Sequence, residues 1–402
     1  MLGEGLHFVY SRLMFKNRKG LHVIEALTVI LVLGIAGFAG FMLFHNKQGA
    51  PNTDRRGMNY QALAACGQQP LSTLPTDLSK LEGIAPLGNV DPPDHTLPTD
   101  HMYMMYPYGD TTQKELYAPA DVVVTSISYG DVFENGVRKH GDYAVSFYPC
   151  SELKLIYGHV DTLSDKITAV IGKPENAGAN QCQSSKQGNE EIRNCNWDVD
   201  IKVTANELVG TSEGWDLWAT YEGHKADNVM SPEYYHNTDA VCPLDYFTPE
   251  LQAQLYAKAM RTAAPRCGEA YVDKAGTLQG GWFAHKDPKQ AKTDWSSHFS
   301  LTRNSVESGV GQVAVAGTIA DQFMYRFTPK HSGTVNRDPS ETTAGTLYCY
   351  QHEGNPRFPN GRMAGPGKIL LKLTDNHTMQ IEHRGGSCSG NESFSRPTTY
   401  YR

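Results

Sequence analysis

Short runs of alternating and β-branched residues dominate the chain between residues 95 and 164. They include LYAPADVVVTSI, GDYAVSFYP and LKLIYGHVDTLS, and glycine or proline separates one run from the next. Such alternation, interrupted by turn residues, is typical of β-strands. Eight further short runs of the same kind follow residue 267 and predict a small β-barrel or sandwich. The pattern therefore predicts a mostly β protein.

One apolar run near the N-terminus differs from the rest. Residues 21–44 predict a transmembrane helix, because about 20 apolar residues suffice to cross a bilayer. The basic side chains before the run place residues 1–20 in the cytoplasm and all later residues outside the cell membrane, with a single span. Gly20, Leu21 and Glu25 also match the prepilin signal pattern. We interpret the run as an uncleaved signal anchor, and pilin-like processing is the alternative.

The remaining chain divides by composition. We predict a polar linker over residues 45–80, a β-roll domain over 81–240, a connecting helix within 241–266 and a β-rich accessory domain over 267–402. In the connecting segment, Thr248 is the expected N-cap and Pro249 the first helical residue. His224, His236 and His285 have no metal-like spacing, and we interpret them as solvated loop histidines.

Charge and cysteine content narrow the class of protein. A formal net charge of −7 gives no reason to expect nucleic-acid binding. All eight cysteines follow the apolar run, and an even number outside the cell favours disulfides. Cys182 and Cys195 flank a polar segment and are predicted to staple it as a loop. Cys349 and Cys388 lie in candidate neighbouring strands and form the second predicted pair, while the pairing of the other four stays open.

Candidate chemistry concentrates near the ends of the predicted strands. His95, Asp100, His101 and His159 are expected to converge on one groove, and imidazoles with a carboxylate are what a zinc hydrolase needs. The order of segments resembles that of the M23 (lysostaphin-like) zinc endopeptidases, which cut peptidoglycan cross-links. Over roughly residues 85–225 the similar segments are the His95 and Asp100 pair, then YAPADVV, DYAV and YGHV.

The resemblance also implies a set of site residues. It implies zinc as the cofactor, with His95, Asp100 and Asp216 as ligands, His101 as an alternative ligand and His159 as the assisting histidine. The family closes its site with a His-x-His strand, in which the first histidine assists catalysis and the second binds zinc. This sequence has no His-x-His and carries WDLW in its place. Pairing WDLW with the family strand puts Asp216 at the ligand position and Gly214 at the helper position, and aspartate binds zinc at about the same distance as histidine.

Three functions follow as hypotheses. The favoured one is a membrane-anchored envelope protein whose degenerate M23-like domain binds peptidoglycan or regulates a cell-wall hydrolase, because the scaffold is kept and the His-x-His is absent. The second is an active zinc endopeptidase that cleaves peptidoglycan, and the third is a pilin-like surface subunit. The predicted fold class is mostly β, with a transmembrane helix, an M23-like β-roll domain and a second small barrel or sandwich.

Overall fold

The computed structural model describes residues 63–92, 95–134, 136–178, 180–187, 190–353 and 367–402. The first eleven strands form two antiparallel sheets, which we call the N-terminal sheets. In chain order they are β1 (Gly83–Ala85), β2 (His101–Met105), β3 (Lys114–Tyr117), β4 (Val122–Glu134), β5 (Val137–Tyr148), β6 (Leu153–Val160), β7 (Thr162–Leu163), β8 (Cys182–Gln187), β9 (Glu190–Val203), β10 (Leu208–Ser212) and β11 (Trp215–Tyr221). The larger sheet has the order β1-β2-β11-β6-β5-β4-β9-β8, and the smaller has the order β3-β10-β7.

An aromatic core packs on one face of the larger sheet. Tyr157 on β6 packs edge-on against Trp215 on β11 and Phe147 on β5, with ring centroids 4.6 Å and 4.8 Å away. All three side chains are buried. Residues 63–80 pack on the same core, because Leu71 is fully buried and forms a bridge with Phe247. The polar linker predicted over 45–80 is therefore, where the structure describes it, a packed part of the fold.

Helices are short and lie between the strands. They are α1 (Asp165–Ile171), α2 (Pro249–Lys258) and α3 (Pro288–Thr293), with 3₁₀ turns at Pro174–Asn176, Pro232–Tyr234, Pro243–Tyr246, Trp295–Ser297 and Pro339–Glu341. Helix α2 has Thr248 as its N-cap and Pro249 as its first residue, as the sequence predicts. Proline suits this position because its missing N–H would have no partner in the first turn anyway.

The last eight strands form a second, nearly closed body, which we call the barrel. They are β12 (Gly280–Phe283), β13 (His298–Arg303), β14 (Gly311–Val315), β15 (Phe323–Phe327), β16 (Leu347–Gln351), β17 (Lys368–Asp375), β18 (Thr378–Arg384) and β19 (Thr398–Tyr401). Their order is β15-β14-β13-β12-β19-β18-β17-β16, so strands adjacent in the sheet are adjacent in sequence except where β12 meets β19. Of the two architectures left open by the sequence, the structure has the barrel.

The gap between β15 and β16 is bridged rather than open. The Tyr325 hydroxyl donates to the Tyr350 carbonyl across it at 3.0 Å. The segment 334–336 also pairs with β16. The Cys349 N–H donates to the Thr334 carbonyl, and the Asn336 N–H donates to the Cys349 carbonyl, both at 2.9 Å. These contacts satisfy backbone groups that an exposed edge would leave unpaired.

One end of the barrel is closed by Trp282 and Arg402. Trp282 is fully buried, and its indole N–H donates to the Leu278 carbonyl at 3.0 Å. The Arg402 guanidinium lies 4.1 Å from the centre of the Trp282 ring. It also donates to four backbone carbonyls, those of Lys274, Asn376, Thr277 and Gln279. Trp282 is thus the buried plug of this end.

Four disulfides cross-link the chain. Cys182–Cys195 and Cys349–Cys388, the two pairs expected from the sequence, are both present. The four cysteines whose pairing the sequence left open form Cys66–Cys150 and Cys242–Cys267. Four disulfides are consistent with an oxidising, extracellular environment.

The disulfides differ in the loop that each one closes. Cys66–Cys150 spans a sequence separation of 84, and Cys182–Cys195 a separation of 13. Restriction of the unfolded chain should then contribute about 4–5 kcal/mol and about 3 kcal/mol respectively. We expect the Cys66→Ser/Cys150→Ser variant to lose more stability in urea unfolding than the Cys182→Ser/Cys195→Ser variant. The reverse order would show that native-state packing, rather than loop length, decides these contributions.

The fold class predicted from the sequence needs one correction. None of the helices within the described residues combines the length and apolar character that a bilayer crossing requires. The mostly β part of the prediction holds, and the transmembrane helix is withdrawn from the fold class. The run 21–44 that suggested it lies outside the described residues, together with Gly20, Leu21 and Glu25.

Candidate functional site

The candidate site lies where three neighbouring strands meet. Strand β11 pairs with β2 on one side and β6 on the other, so that Asp216 lies opposite Tyr103 and Gly158, and Trp218 lies opposite His101. Because the strands are antiparallel, the start of β2 and the end of β6 flank the same part of β11. The structure therefore brings His101, His159 and Asp216 together.

Carboxylates and imidazoles alternate in this site. Asp142 Oδ2 is 2.7 Å from His159 Nδ1, and His159 Nε2 is 3.1 Å from Asp216 Oδ2. Asp216 Oδ2 is also 3.8 Å from His101 Nε2, and His101 Nδ1 is 3.1 Å from Asp100 Oδ1. We call these five residues the Asp–His chain.

His159 is the cationic member of the Asp–His chain. Burial lowers its pKa, but Asp142 and Asp216 outweigh burial and raise that pKa well above the usual value. Burial raises the pKa of Asp216, and the charge of His159 outweighs it and holds that pKa below the usual value. The ring is therefore an imidazolium between two carboxylates, whose attraction offsets part of the cost of burying these charges.

The backbone at His159 is unusual. Its φ of 56° lies in the left-handed region, which bulky residues rarely adopt. The Ser212 hydroxyl donates to the His159 carbonyl at 2.6 Å and holds this conformation. Neighbouring Gly158 has no room for a side chain, since a Cβ would lie 2.3 Å from the Trp218 ring. The strand end is thus shaped to present the imidazole to the Asp–His chain.

Asp100 is fully engaged by protein donors. Its Oδ1 accepts from the Trp218 indole N–H at 3.0 Å and lies near His101 Nδ1, and its Oδ2 accepts from Asn237 at 3.4 Å. Burial raises the pKa of this carboxyl, but the hydrogen bonds from His101, Trp218 and Asn237 outweigh burial, so the pKa lies below its usual value. Asp100 therefore acts here as an acceptor for an indole, an imidazole and an amide.

His95 stands at the edge of the Asp–His chain. Its ring centroid is 5.2 Å from that of His101, nearly perpendicular to it. Burial, with the proximity of His101, lowers the pKa of His95 to about 3, so the imidazole is neutral. Two backbone hydrogen bonds to Asp91 hold its loop.

Trp218 is a site residue that sequence reasoning missed. Its ring centroid is 4.2 Å from that of His101, and it packs with Ile156 and with Trp295 from the segment preceding β13. Trp218 and Asp216 are two residues apart on one strand, so they face the same side. The alternation in WDLW was the signal that could have identified it.

The register of WDLW predicted from the resemblance is corrected by this geometry. Gly214, placed there at the helper position, precedes β11, and its N–H donates to the Ser212 hydroxyl oxygen. Two residues of β11 have the His-x-His spacing at this site. They are Asp216, which belongs to the Asp–His chain, and Trp218, which contacts it. Asp216 adjoins the helper His159, and Trp218 adjoins Asp100.

Two of the residues predicted to bind zinc, Asp100 and His101, are already engaged by protein groups in this arrangement. Both oxygens of Asp100 are committed to protein donors, and the Trp218 ring covers His101. The alternative ligand atom, His101 Nε2, faces the Tyr103 hydroxyl at 3.1 Å. Among the described residues, the groups of three donors within 4.8 Å of one another lie elsewhere, at Cys66/Cys150/Glu152, Cys349/Cys388/Glu392 and His331/Asp338/Glu341.

Those three groups have other roles. The first two contain the sulfur atoms of disulfides. In the third, Asp338 pairs with Arg303, and Glu341 pairs with Arg337 at 2.8 Å, so arginines already neutralise its carboxylates. None of the three carries the chemistry expected from the sequence.

A cavity of ≈ 90 Å³ adjoins the Asp–His chain, between the N-terminal sheets and the barrel. We call it the interface pocket. Its lining consists of His95, Leu97, Pro98, Thr99, Asp100, His101, Tyr234, Tyr235, His236, Asn237, Tyr271, Lys292, Trp295 and His298. His236 is half-buried in this lining, and the interpretation of it as a solvated loop histidine is therefore wrong.

The barrel holds the loop before β2 in place and so forms one wall of the interface pocket. The Ser300 hydroxyl donates to the Thr96 carbonyl at 2.5 Å, and the Gln312 side chain donates to the Val90 carbonyl at 3.2 Å. Leu97 packs with apolar residues of the barrel side, including Phe283. The pocket therefore depends on both bodies.

Neither a protein-family model nor a curated protein matches this sequence. The resemblance to M23 peptidases therefore remains a prediction from short segments and their order.

Proposed function

We propose that this chain is a non-catalytic binding protein of the bacterial cell envelope, whose N-terminal sheets are a degenerate M23-like domain that binds peptidoglycan. The supporting observation is Trp218. It takes the second position of the His-x-His spacing, where the M23 family carries a zinc ligand, and its indole N–H binds Asp100. An indole nitrogen is a donor only and offers no lone pair to a metal.

The surroundings of the Asp–His chain favour binding over hydrolysis. A zinc hydrolase needs an open coordination position for water. Here Asp216 adjoins the cationic His159 at 3.1 Å, and Trp218 with Trp295 covers the other side. The interface pocket beside it has aromatic and polar walls, which suit a peptide or sugar group. The four disulfides support a location outside the cytoplasm.

The absence of a zinc site is tested by metal analysis of the full-length chain. We expect no stoichiometric zinc after incubation with excess zinc and dialysis, and the same metal content in a His95→Ala/Asp100→Ala variant. About one zinc per chain, lost in that variant, together with cleavage of purified peptidoglycan, would instead establish the zinc endopeptidase.

Binding is tested by co-sedimentation of the full-length chain with purified peptidoglycan sacculi. We expect binding that weakens at least about tenfold in a Trp295→Ala variant, because buried tryptophans often carry much of an interface energy. Tyr108→Ala is the matched control, since Tyr108 is 54% exposed and lies outside the pocket. Failure of the unaltered chain to sediment would overturn the proposal, and so would equal binding by the two variants.

A further inference from the structure

The interface pocket is too small for a whole ligand. Pockets that enclose a drug-sized molecule usually measure about 300–1,000 Å³, and this one measures ≈ 90 Å³. The contacts of Thr96 and Val90 with the barrel limit it on one side. An end group of a longer ligand can enter, and the chemistry of the walls decides which end group fits.

The hydroxyl protons of three tyrosines in the lining are already used. Tyr234, Tyr235 and Tyr271 each donate to a protein acceptor. The acceptors are Lys286 O at 2.7 Å, Asp273 Oδ1 at 3.0 Å and Asn237 O at 2.8 Å. Each tyrosine therefore offers a ligand its ring face and its oxygen lone pairs, and no proton.

In two histidines of the lining, one ring nitrogen donates to a backbone carbonyl, which leaves the other nitrogen as an acceptor. His236 Nε2 faces the Lys292 carbonyl at 3.1 Å, and His298 Nε2 faces the Ala291 carbonyl at 2.8 Å. A carbonyl only accepts, so Nε2 carries the proton in both rings. Burial lowers the pKa of His236, and burial lowers the pKa of His298 to about 4, so both rings are neutral. Their Nδ1 atoms therefore carry lone pairs.

The lining also contains charged and amide groups. The Asn237 amide donates to Asp100, which adds a carboxylate to the lining. Lys292 also belongs to the lining, and its positive charge opposes a second ammonium. Burial lowers the pKa of Lys292, and the charge of Glu233 offsets part of that effect. Around the cavity the described walls thus combine aromatic faces, lone pairs, the half-buried Asp100 carboxylate and one lysine.

We propose that the interface pocket binds a primary ammonium group. Such a group donates three hydrogen bonds, suits imidazole and phenol lone pairs, and interacts favourably with aromatic faces. The inference rests on the proposed function, under which this ammonium is a free amino group of a peptidoglycan peptide. A carboxylate or phosphate end group would find few donors in these walls.

The test compares two small probes on the full-length chain by isothermal titration calorimetry. The probes are Nα-acetyl-lysine amide, with a free side-chain amine, and the same molecule acetylated on that amine. We expect the free amine to bind at least about tenfold more tightly, because acetylation removes the charge and two of three N–H donors. Equal affinities, or tighter binding of the acetylated probe, would overturn the inference.

Variants locate the interaction. His236→Phe and His298→Phe remove an acceptor while keeping a planar ring, and each should reduce the preference for the free amine. His224→Phe is the matched control, because His224 is exposed and lies outside the lining. An unchanged preference in both pocket variants would place amine binding elsewhere. The probe comparison on the unaltered chain decides the amine preference even if a variant does not fold.

Acetylated sacculi separate this inference from the proposed function. Sedimentation with untreated sacculi and its loss after acetylation of their amines would support both. Equal sedimentation with both preparations would overturn the amine inference and leave peptidoglycan binding standing. If neither preparation binds, peptidoglycan binding fails, and the two small probes still decide whether the pocket prefers an ammonium group.

Discussion

Replacing His159 with asparagine should lower the free energy of unfolding by about 3–5 kcal/mol, because it leaves the buried Asp216 and the half-buried Asp142 without their cation. Asp142 and Asp216 both lie within 3.1 Å of the imidazole. Asparagine tolerates the positive φ of this position better than most residues, so the change reports on charge rather than on the backbone. Urea unfolding at neutral pH measures the loss.

The same ion pairs set the pH dependence of stability. The pKa of His159 is raised in the folded state, so its contribution is complete below about pH 6.5, the value in an unfolded chain. That contribution is lost as the pH rises through the folded pKa. The pKa of Asp216 is lowered, so its contribution is present above about pH 3.9 and is lost as the pH falls through the folded value. His159→Asn should therefore flatten the alkaline limb of the unfolding profile.

An exposed histidine provides the control for these measurements. His224→Asn should leave both the unfolding energy and its pH profile unchanged, since His224 is exposed. A loss below about 1 kcal/mol in His159→Asn, the size typical of an exposed ion pair, would mean that water screens the Asp–His chain.

Replacing Arg402 with alanine should destabilise the barrel by about 3 kcal/mol or more. The change leaves buried carbonyls without donors, each costing about 1–3 kcal/mol, and removes the contact with the Trp282 ring. Arg402→Lys should recover only part of the stability, because a lysine ammonium lacks the planar set of donors with which a guanidinium binds several carbonyls at once. Differential scanning calorimetry measures both variants.

Arg396→Ala is the matched control for this position, because Arg396 is exposed and lies in the segment just before β19. An equal loss in Arg396→Ala and Arg402→Ala would show that charge in this segment, rather than the buried network, stabilises the barrel.

The strands were predictable because their side chains follow a local rule. Alternation in LKLIYGHV corresponds to β6, and the eight runs after residue 267 fall largely in the barrel, although GTVNRD lies between β15 and β16 outside any strand. A strand with one buried face alternates apolar and polar residues, and this alternation can be recognised without knowing which strands are its neighbours. The N-cap position of Thr248 was predictable for the same reason, although its side chain makes no capping hydrogen bond.

Contacts within the site depended on register, which the sequence does not specify locally. The pair Asp142 and His159 requires β5 to meet β6 across an irregular register between Tyr143 and Val145. A shift of β11 by one residue would turn Asp216 and Trp218 away from the Asp–His chain. His159 itself was identified from YGHV, but its two carboxylate partners come from other strands, Asp142 from β5 and Asp216 from β11.

The interface pocket could not be predicted from the sequence because its walls come from two separately folded bodies, the N-terminal sheets and the barrel. Its lining takes His95 from the loop before β2, His236 from the segment between β11 and α2, and Lys292, Trp295 and His298 from the barrel region. No periodicity within one segment indicates how another segment docks on it. His236 was therefore taken for a solvated residue.

The pairing of β12 with β19 has a consequence for the order of folding. Phe283 can pair with Tyr401 only after strands β13 to β18 have been synthesised. Contacts between residues so distant in sequence form slowly, because a long loop must close first. The barrel wall carrying Ser300 and Gln312 also holds the loop before β2. We therefore expect the interface pocket, which is walled by both bodies, to form only after each of them has folded.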